Sequence, residues 1–106
     1  MNSMNLENKQ YYIYLVKDKD NTKFKIGCTG NNPKKRLRQY ISHNPDVIIC
    51  GYWKVKNKEY EKYIQTELKK QWFIPCIRKG QCEWFLGNTD LKNIEVIINK
   101  LEGSTL

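Results

Sequence analysis

The sequence predicts an α+β domain, a small and mostly antiparallel three-stranded sheet flanked by helices. Three observations predict it. The stretch YYIYLVKDKDNTKFKIGCTG alternates apolar and polar residues on both sides of a polar turn, the period of paired strands. Later stretches carry apolar residues at helical spacing behind capping residues. A length of 106 residues supports one hydrophobic core and no second folded unit.

Residues 1–9 read as a flexible polar N-terminus, 10–102 as a single domain and 103–106 as a tail. The first strand is expected over Gln10 to Val16 and the second over Lys23 to Cys28, with KDKDNT supplying the turn. Tyr11, Ile13, Leu15, Phe24, Ile26 and Cys28 then share one face. A turn symmetric about Lys19-Asp20 sets Tyr14 opposite Lys25 and Tyr12 opposite Gly27, all four on the second face. Asn31 or Asn32 caps a helix that Pro33 opens, with Leu37, Tyr40 and Ile41 as its apolar stripe. VIICGYWKV is an almost continuous apolar run, as in a strand covered on both faces. NKEYEKYIQTELKKQWF reads as a helix capped by Asn57, striped by Tyr60, Ile64, Leu68 and Trp72, with Tyr63 alongside. IPCIRKGQ reads as a basic loop and CEWFL as a short strand or extended segment. Asn88 or Thr89 begins the last helix.

The formal charge of +8 favours an acidic partner, of which nucleic acid is the commonest. Lysine supplies most of it, and suits phosphate attraction better than base reading. No secretory signal and no membrane-spanning apolar run occurs, so an intracellular protein with reduced cysteines is expected, with no membrane partner. Cys76 and Cys82 bracket five residues, wider than a zinc knuckle, and His43 is the single histidine, which disfavours structural zinc. A phosphate-binding Gly-rich loop and a Ser/His/Asp or Cys/His nucleophile are also absent from the pattern. What remains is a set of tyrosines, lysines and arginines near a few carboxylates. That inventory suits phosphodiester cleavage with one metal ion, where charge stabilisation dominates.

YIYLV (Tyr12 to Val16), KIG (Lys25 to Gly27), Arg36 and EKYIQ (Glu61 to Gln65) together resemble the GIY-YIG nuclease superfamily. The KIGCT…RL…E…EWF version is similar to a branch common in phages and large DNA viruses. The resemblance covers roughly Tyr11 to Leu86, with eleven residues from Tyr14 to Lys25 and eleven more to Arg36. It implies a small sheet flanked by helices with both tripeptides on adjacent antiparallel strands. It also implies DNA hydrolysis with one divalent ion, Mg2+ or Mn2+, on the helix glutamate. The chain departs from the pattern at Tyr12, where glycine is usual, at Lys25, where tyrosine is usual, and at Cys28, where several members carry lysine or histidine. The family's late asparagine corresponds at best to Asn88.

The catalytic set is therefore Tyr14, Lys25, Arg36, Tyr40 and Glu61, with Gly27 and Gln65 supporting. Lys25 is expected to lower the pKa of Tyr14, ordinarily about 10, so that the phenolate takes a proton from the attacking water. Arg36 would hold the scissile phosphate, Tyr40 would orient water or phosphate, and Glu61 would bind the metal. A helical wheel leaves Glu61 and Glu67 equally placed, the resemblance selects Glu61, and Glu83 is a third candidate. Tyr12, Lys34, Lys35, Arg38, Arg78 and Lys79 are candidate DNA contacts. No residues are left over for a separate site-choosing domain. Weak sequence preference or recognition of DNA structure is expected, unless a homodimer or a targeting partner supplies selectivity. Action in the cytoplasm or at a viral replication site is expected. The alternative is a nuclease-fold protein that binds DNA without cleaving it.

Overall fold

The computed structural model describes residues 10–78 and 81–103. The elements run β1 (Tyr11–Asp18), β2 (Lys23–Thr29), α1 (Pro33–His43), β3 (Val47–Val55), α2 (Glu59–Lys70), β4 (Ile74–Arg78), β5 (Gln81–Leu86) and α3 (Leu91–Gly103). The fold is α+β and the sheet antiparallel throughout, but it has five strands rather than three, in the order β3-β1-β2-β5-β4. The segment read as a basic loop supplies one of them. Pro75 argues against a central strand, yet β4 is an edge strand, where a missing N–H costs no ladder bond.

The hairpin register differs from the symmetric reading by two residues. Asp18 accepts hydrogen bonds from the backbone N–H of Thr22 (2.8 Å) and of Lys23 (3.1 Å), and Asn21 takes a left-handed φ of 57°. This chemistry centres the turn one residue later. Tyr14 therefore pairs with Gly27, Tyr12 with Thr29 and Val16 with Lys25. A slip of two preserves the faces, so Ile13, Leu15, Phe24 and Ile26 still point into the core. There they meet Tyr60, Ile64 and Leu68 of α2 and Ile94, Ile97 and Ile98 of α3. Phe24 stacks on Phe85 with centroids 5.5 Å apart, which anchors β5 to the hairpin. Val16 and Leu37 are also buried but stand outside this cluster, because α1 covers part of the opposite face of the sheet.

Caps set most helix boundaries. Asn32 accepts from the Lys35 N–H at 3.4 Å ahead of Pro33, while Asn31 accepts from the Gln10 N–H at 2.9 Å. Lys58, not Asn57, stands at the N-cap of α2 and makes no side-chain cap bond, while Asn57 just before it accepts from the Glu59 N–H at 3.0 Å. For α3 the cap is Asp90, accepting from the Asn93 N–H at 2.9 Å, rather than Asn88 or Thr89. Two further expectations are corrected. β3 is an edge strand with Ile48 and Tyr52 exposed, so its apolar run is not covered on both faces.

Trp72 is 90% exposed and lies beyond the end of α2. The Phe73 N–H donates to the Leu68 carbonyl and the Trp72 N–H to the Lys69 carbonyl, each at 3.1 Å. That is a Schellman ending, which puts Trp72 in the left-handed position (φ 74°) and hands the core place to Phe73. Glycine usually occupies this position because a side chain there is strained. Trp72→Gly is therefore expected to stabilise the fold by about 1 kcal/mol, read as a higher urea midpoint at unchanged slope.

Candidate active site

The hairpin register decides where the phenol of Tyr14 lies. A Cβ added to Gly27 would stand 2.2 Å from both Cζ and Oη of Tyr14. The ring thus crosses the β2 backbone at the one residue that has no side chain to block it. Beyond that point β2 has an open edge, because β5 pairs with it only at Lys23 and Phe24. Glu61, in the first turn of α2, occupies this edge, with the Cys28 backbone N–H facing its carboxylate. Tyr14 and Glu61 therefore meet electrostatically across Gly27.

The other groups come from β2 and α1. Lys25 lies on the same face as Tyr14, and its Nζ stands 5.2 Å from the centroid of the Tyr40 ring. The Tyr14 and Tyr40 rings are 6.5 Å apart at 47°. Arg36 and Tyr40 are one helical turn apart, which aims both at the sheet. Tyr14, Lys25, Arg36 and Tyr40 line one cleft of about 450 Å³. Glu61 and Gln65 line a neighbouring hollow of about 800 Å³, beyond the β2 edge, together with Cys28 and Glu59. Among the expected catalytic residues the structure thus brings four into one cleft and places Glu61 in a separate hollow, linked to Tyr14 and Lys25 through its charge.

The electrostatics reverse one expectation. The phenol of Tyr14 is pushed up to about 12, first by burial, then by Tyr40 and Glu61, against the opposing pull of Arg36. Lys25 is diagonal to Tyr14 rather than opposite it, and its charge instead favours the ionised Glu61. Burial nevertheless holds the Glu61 carboxyl above its ordinary range. Burial, and then Glu61, also raise the Cys28 thiol, so this position supplies no cationic helper.

The Tyr14 shift has a consequence for stability. The unfolded chain releases this proton near pH 10 and the folded chain near 12, so the fold holds it more tightly. That contribution is complete below pH 10 and is lost as the pH rises towards 12. Tyr14→Phe is expected to abolish this part of the alkaline destabilisation, measured as urea midpoints from pH 8 upwards.

The remaining candidates separate by geometry. Glu67 is tied to Lys100 at 3.0 Å and to Lys70 at 3.8 Å, an ion pair joining α2 to α3, which marks it as structural. Tyr12 donates to Gln10 Oε1 at 2.7 Å and packs edge-on against Tyr52, outside the cleft. Lys34, Lys35 and Arg38 are exposed on α1, whereas Asn88 is exposed and lines neither hollow. Arg78 ends β4, but its side chain and that of Glu83 lie outside the described residues, as does Lys79 altogether. His43 and Asn44 line the cleft without having been singled out. The signal was present, since residues 36, 40 and 43 follow one helical face.

Glu61, with Glu59 and Gln65 beside it, is the side chain that could hold a hard divalent cation. Its carboxylate is burdened by burial, and no group of three metal-ligating side chains occurs among the described residues. Magnesium and manganese accept one or two carboxylates completed by water and phosphate oxygens, whereas zinc would want a closed protein cage.

No curated protein and no solved structure matches the chain. A family model, the T5orf172 domain, matches residues 11–102 and so covers most of it, including both hairpin strands, Arg36 and Glu61. The chain belongs to the T5orf172 domain family, whose members are nuclease-related.

Proposed function

We propose that the protein is a metal-dependent DNA endonuclease of the GIY-YIG type, and one observation carries the reading. Tyr14, passing over Gly27, lines one cleft with Lys25, Arg36 and Tyr40, and both Arg36 and Glu61 act on its phenol electrostatically. A phosphodiester seated there meets Arg36 and Lys25, which attract it and offset the negative charge that builds as water adds to phosphorus. Tyr14 stays protonated at neutral pH, so its hydroxyl orients the phosphate or the attacking water by hydrogen bonding rather than accepting a proton as a phenolate. Tyr40 carries Lys25 against its ring and holds that ammonium in the cleft. Glu61 would bind Mg2+ or Mn2+ with Gln65 beside it, and the ion when bound supplies Lewis-acid stabilisation of the phosphate and of the departing oxygen. Exposed Lys34, Lys35 and Arg38 extend the positive surface along α1 for the DNA backbone.

Incubating supercoiled plasmid with the protein tests this directly. Nicking that requires Mg2+ and disappears in Arg36→Ala supports the endonuclease. A raised Tyr14 pKa is the observation that favours the rival, a DNA-binding protein without cleavage. Salt-sensitive binding with no nicking at any magnesium concentration would decide for the rival.

A further inference from the structure

The cleft-bearing face of the sheet extends past the cleft. Lys23 follows Lys25 on this face of β2, and alternation about buried Phe85 puts Trp84 and Leu86 of β5 on it as well. Leu86 is flanked in the ladder by Lys23 on one side and Ile74 on the other. Lys23 Nζ stands 5.2 Å from the centroid of a Trp84 ring. Leu86 is 48% and Ile74 61% exposed, so an apolar row on a basic protein faces solvent. Beside it runs a groove of about 360 Å³ whose lining includes Lys23, Trp84, Asp18 and Asp46. His43 and Asn44 line both this groove and the cleft, so the two are adjacent.

We propose that this extension takes an unpaired stretch of the DNA substrate, with one base stacked on Trp84 and its neighbours lying over Leu86 and Ile74. The inference rests on the nuclease reading above and narrows its substrate to DNA with a single-stranded segment beside the scissile phosphate. A duplex turns its phosphates outward and hides the faces of its bases, and a row of tryptophan, leucine and isoleucine offers phosphates nothing. The carboxylates of Asp18 and Asp46 in the same groove repel phosphates. Asp18 is in addition already engaged by the N–H groups of Thr22 and Lys23. Unpaired bases present apolar faces that stack on aromatic rings whatever their sequence, and Lys23, whose ammonium stands over the Trp84 ring, neutralises the strand that carries them. A groove lined by a tryptophan, a lysine and two carboxylates thus favours bases over backbone.

Fluorescence anisotropy without divalent cation, on labelled duplexes of equal paired length with and without an unpaired thymidine arm, tests the proposal. The wild type is expected to prefer the armed DNA by about tenfold. Trp84→Leu and Leu86→Gln are each expected to remove most of that preference, and Leu86 is exposed enough for its variant to fold even where the other fails. Equal affinity for the two DNAs, or a preference that survives in both variants, overturns the inference. Concentration-dependent dimerisation that Leu86→Gln abolishes, with no arm preference, overturns it in favour of a second copy on this face. Equal affinity together with intact Mg2+-dependent nicking overturns only the inference, whereas binding to neither DNA at low salt overturns the nuclease reading as well.

Discussion

Glu61→Gln is expected to lower Mg2+-dependent nicking on the order of a thousandfold and at the same time to stabilise the fold at neutral pH. The two effects share a cause. Burial at the β2 edge holds the carboxyl above its ordinary value near 4.5, which means that the ionised form weakens the folded state. With the folded value raised, the proton is held more tightly in the fold, so this group's contribution is complete at acid pH and is lost as the pH rises through the folded value. The glutamine variant carries no such charge. Its melting temperature should exceed that of the wild type at pH 7 and converge with it below pH 4, where both side chains are neutral. A residue kept for packing would show the opposite sign, whereas one kept for chemistry destabilises its own fold. Melting curves across pH, run beside the plasmid assay, read both quantities on the same two proteins.

Gly27→Ala should cost about a hundredfold in nicking with little change in melting temperature. The new methyl would occupy the place of the Tyr14 phenol, 2.2 Å from its oxygen, so the ring must swing off β2. The end of a side chain can move without opening the core, and alanine loses less backbone freedom than glycine on folding. The activity has no such escape, because the Tyr14 phenol then leaves the place over Gly27 from which it lines the cleft with Arg36. A double-mutant cycle isolates the effect. Tyr14→Phe and Gly27→Ala should each be severe, and their combination no worse than either alone. Additive losses would show that Gly27 acts through something other than the phenol.

Much of this arrangement was legible in the chain, and the losses have identifiable causes. Strict alternation in YIYLV and KFKIG put Tyr14, Lys25 and Gly27 on one face, and a slip of two residues left that intact. The pairing itself depends on Asp18 and Asn21, whose turn chemistry outweighs symmetry about the middle of the loop. Pro75 and the basic residues after it hid β4, since an edge strand tolerates what a central strand does not. Trp72 continued the apolar stripe of α2 on paper, but helices end by backbone geometry, and no glycine marked the left-handed residue. The choice between Glu61 and Glu67 could not come from a wheel, because it turns on where α3 brings Lys100 and where β5 leaves the edge of β2. The lowered phenol was misplaced for a related reason. Proximity in sequence pattern says which groups are near, while burial, which dominates the shift, appears only once α1 is seated on the sheet.

The most direct measurement is a crystal soaked in manganese, read by anomalous scattering. A peak at the carboxylate of Glu61, with the Tyr14 ring lying across Gly27 and the Arg36 guanidinium turned to the same cavity, is the predicted result. A peak at Glu67 or none at Glu61, with the Tyr14 phenol turned away from Gly27, would contradict it.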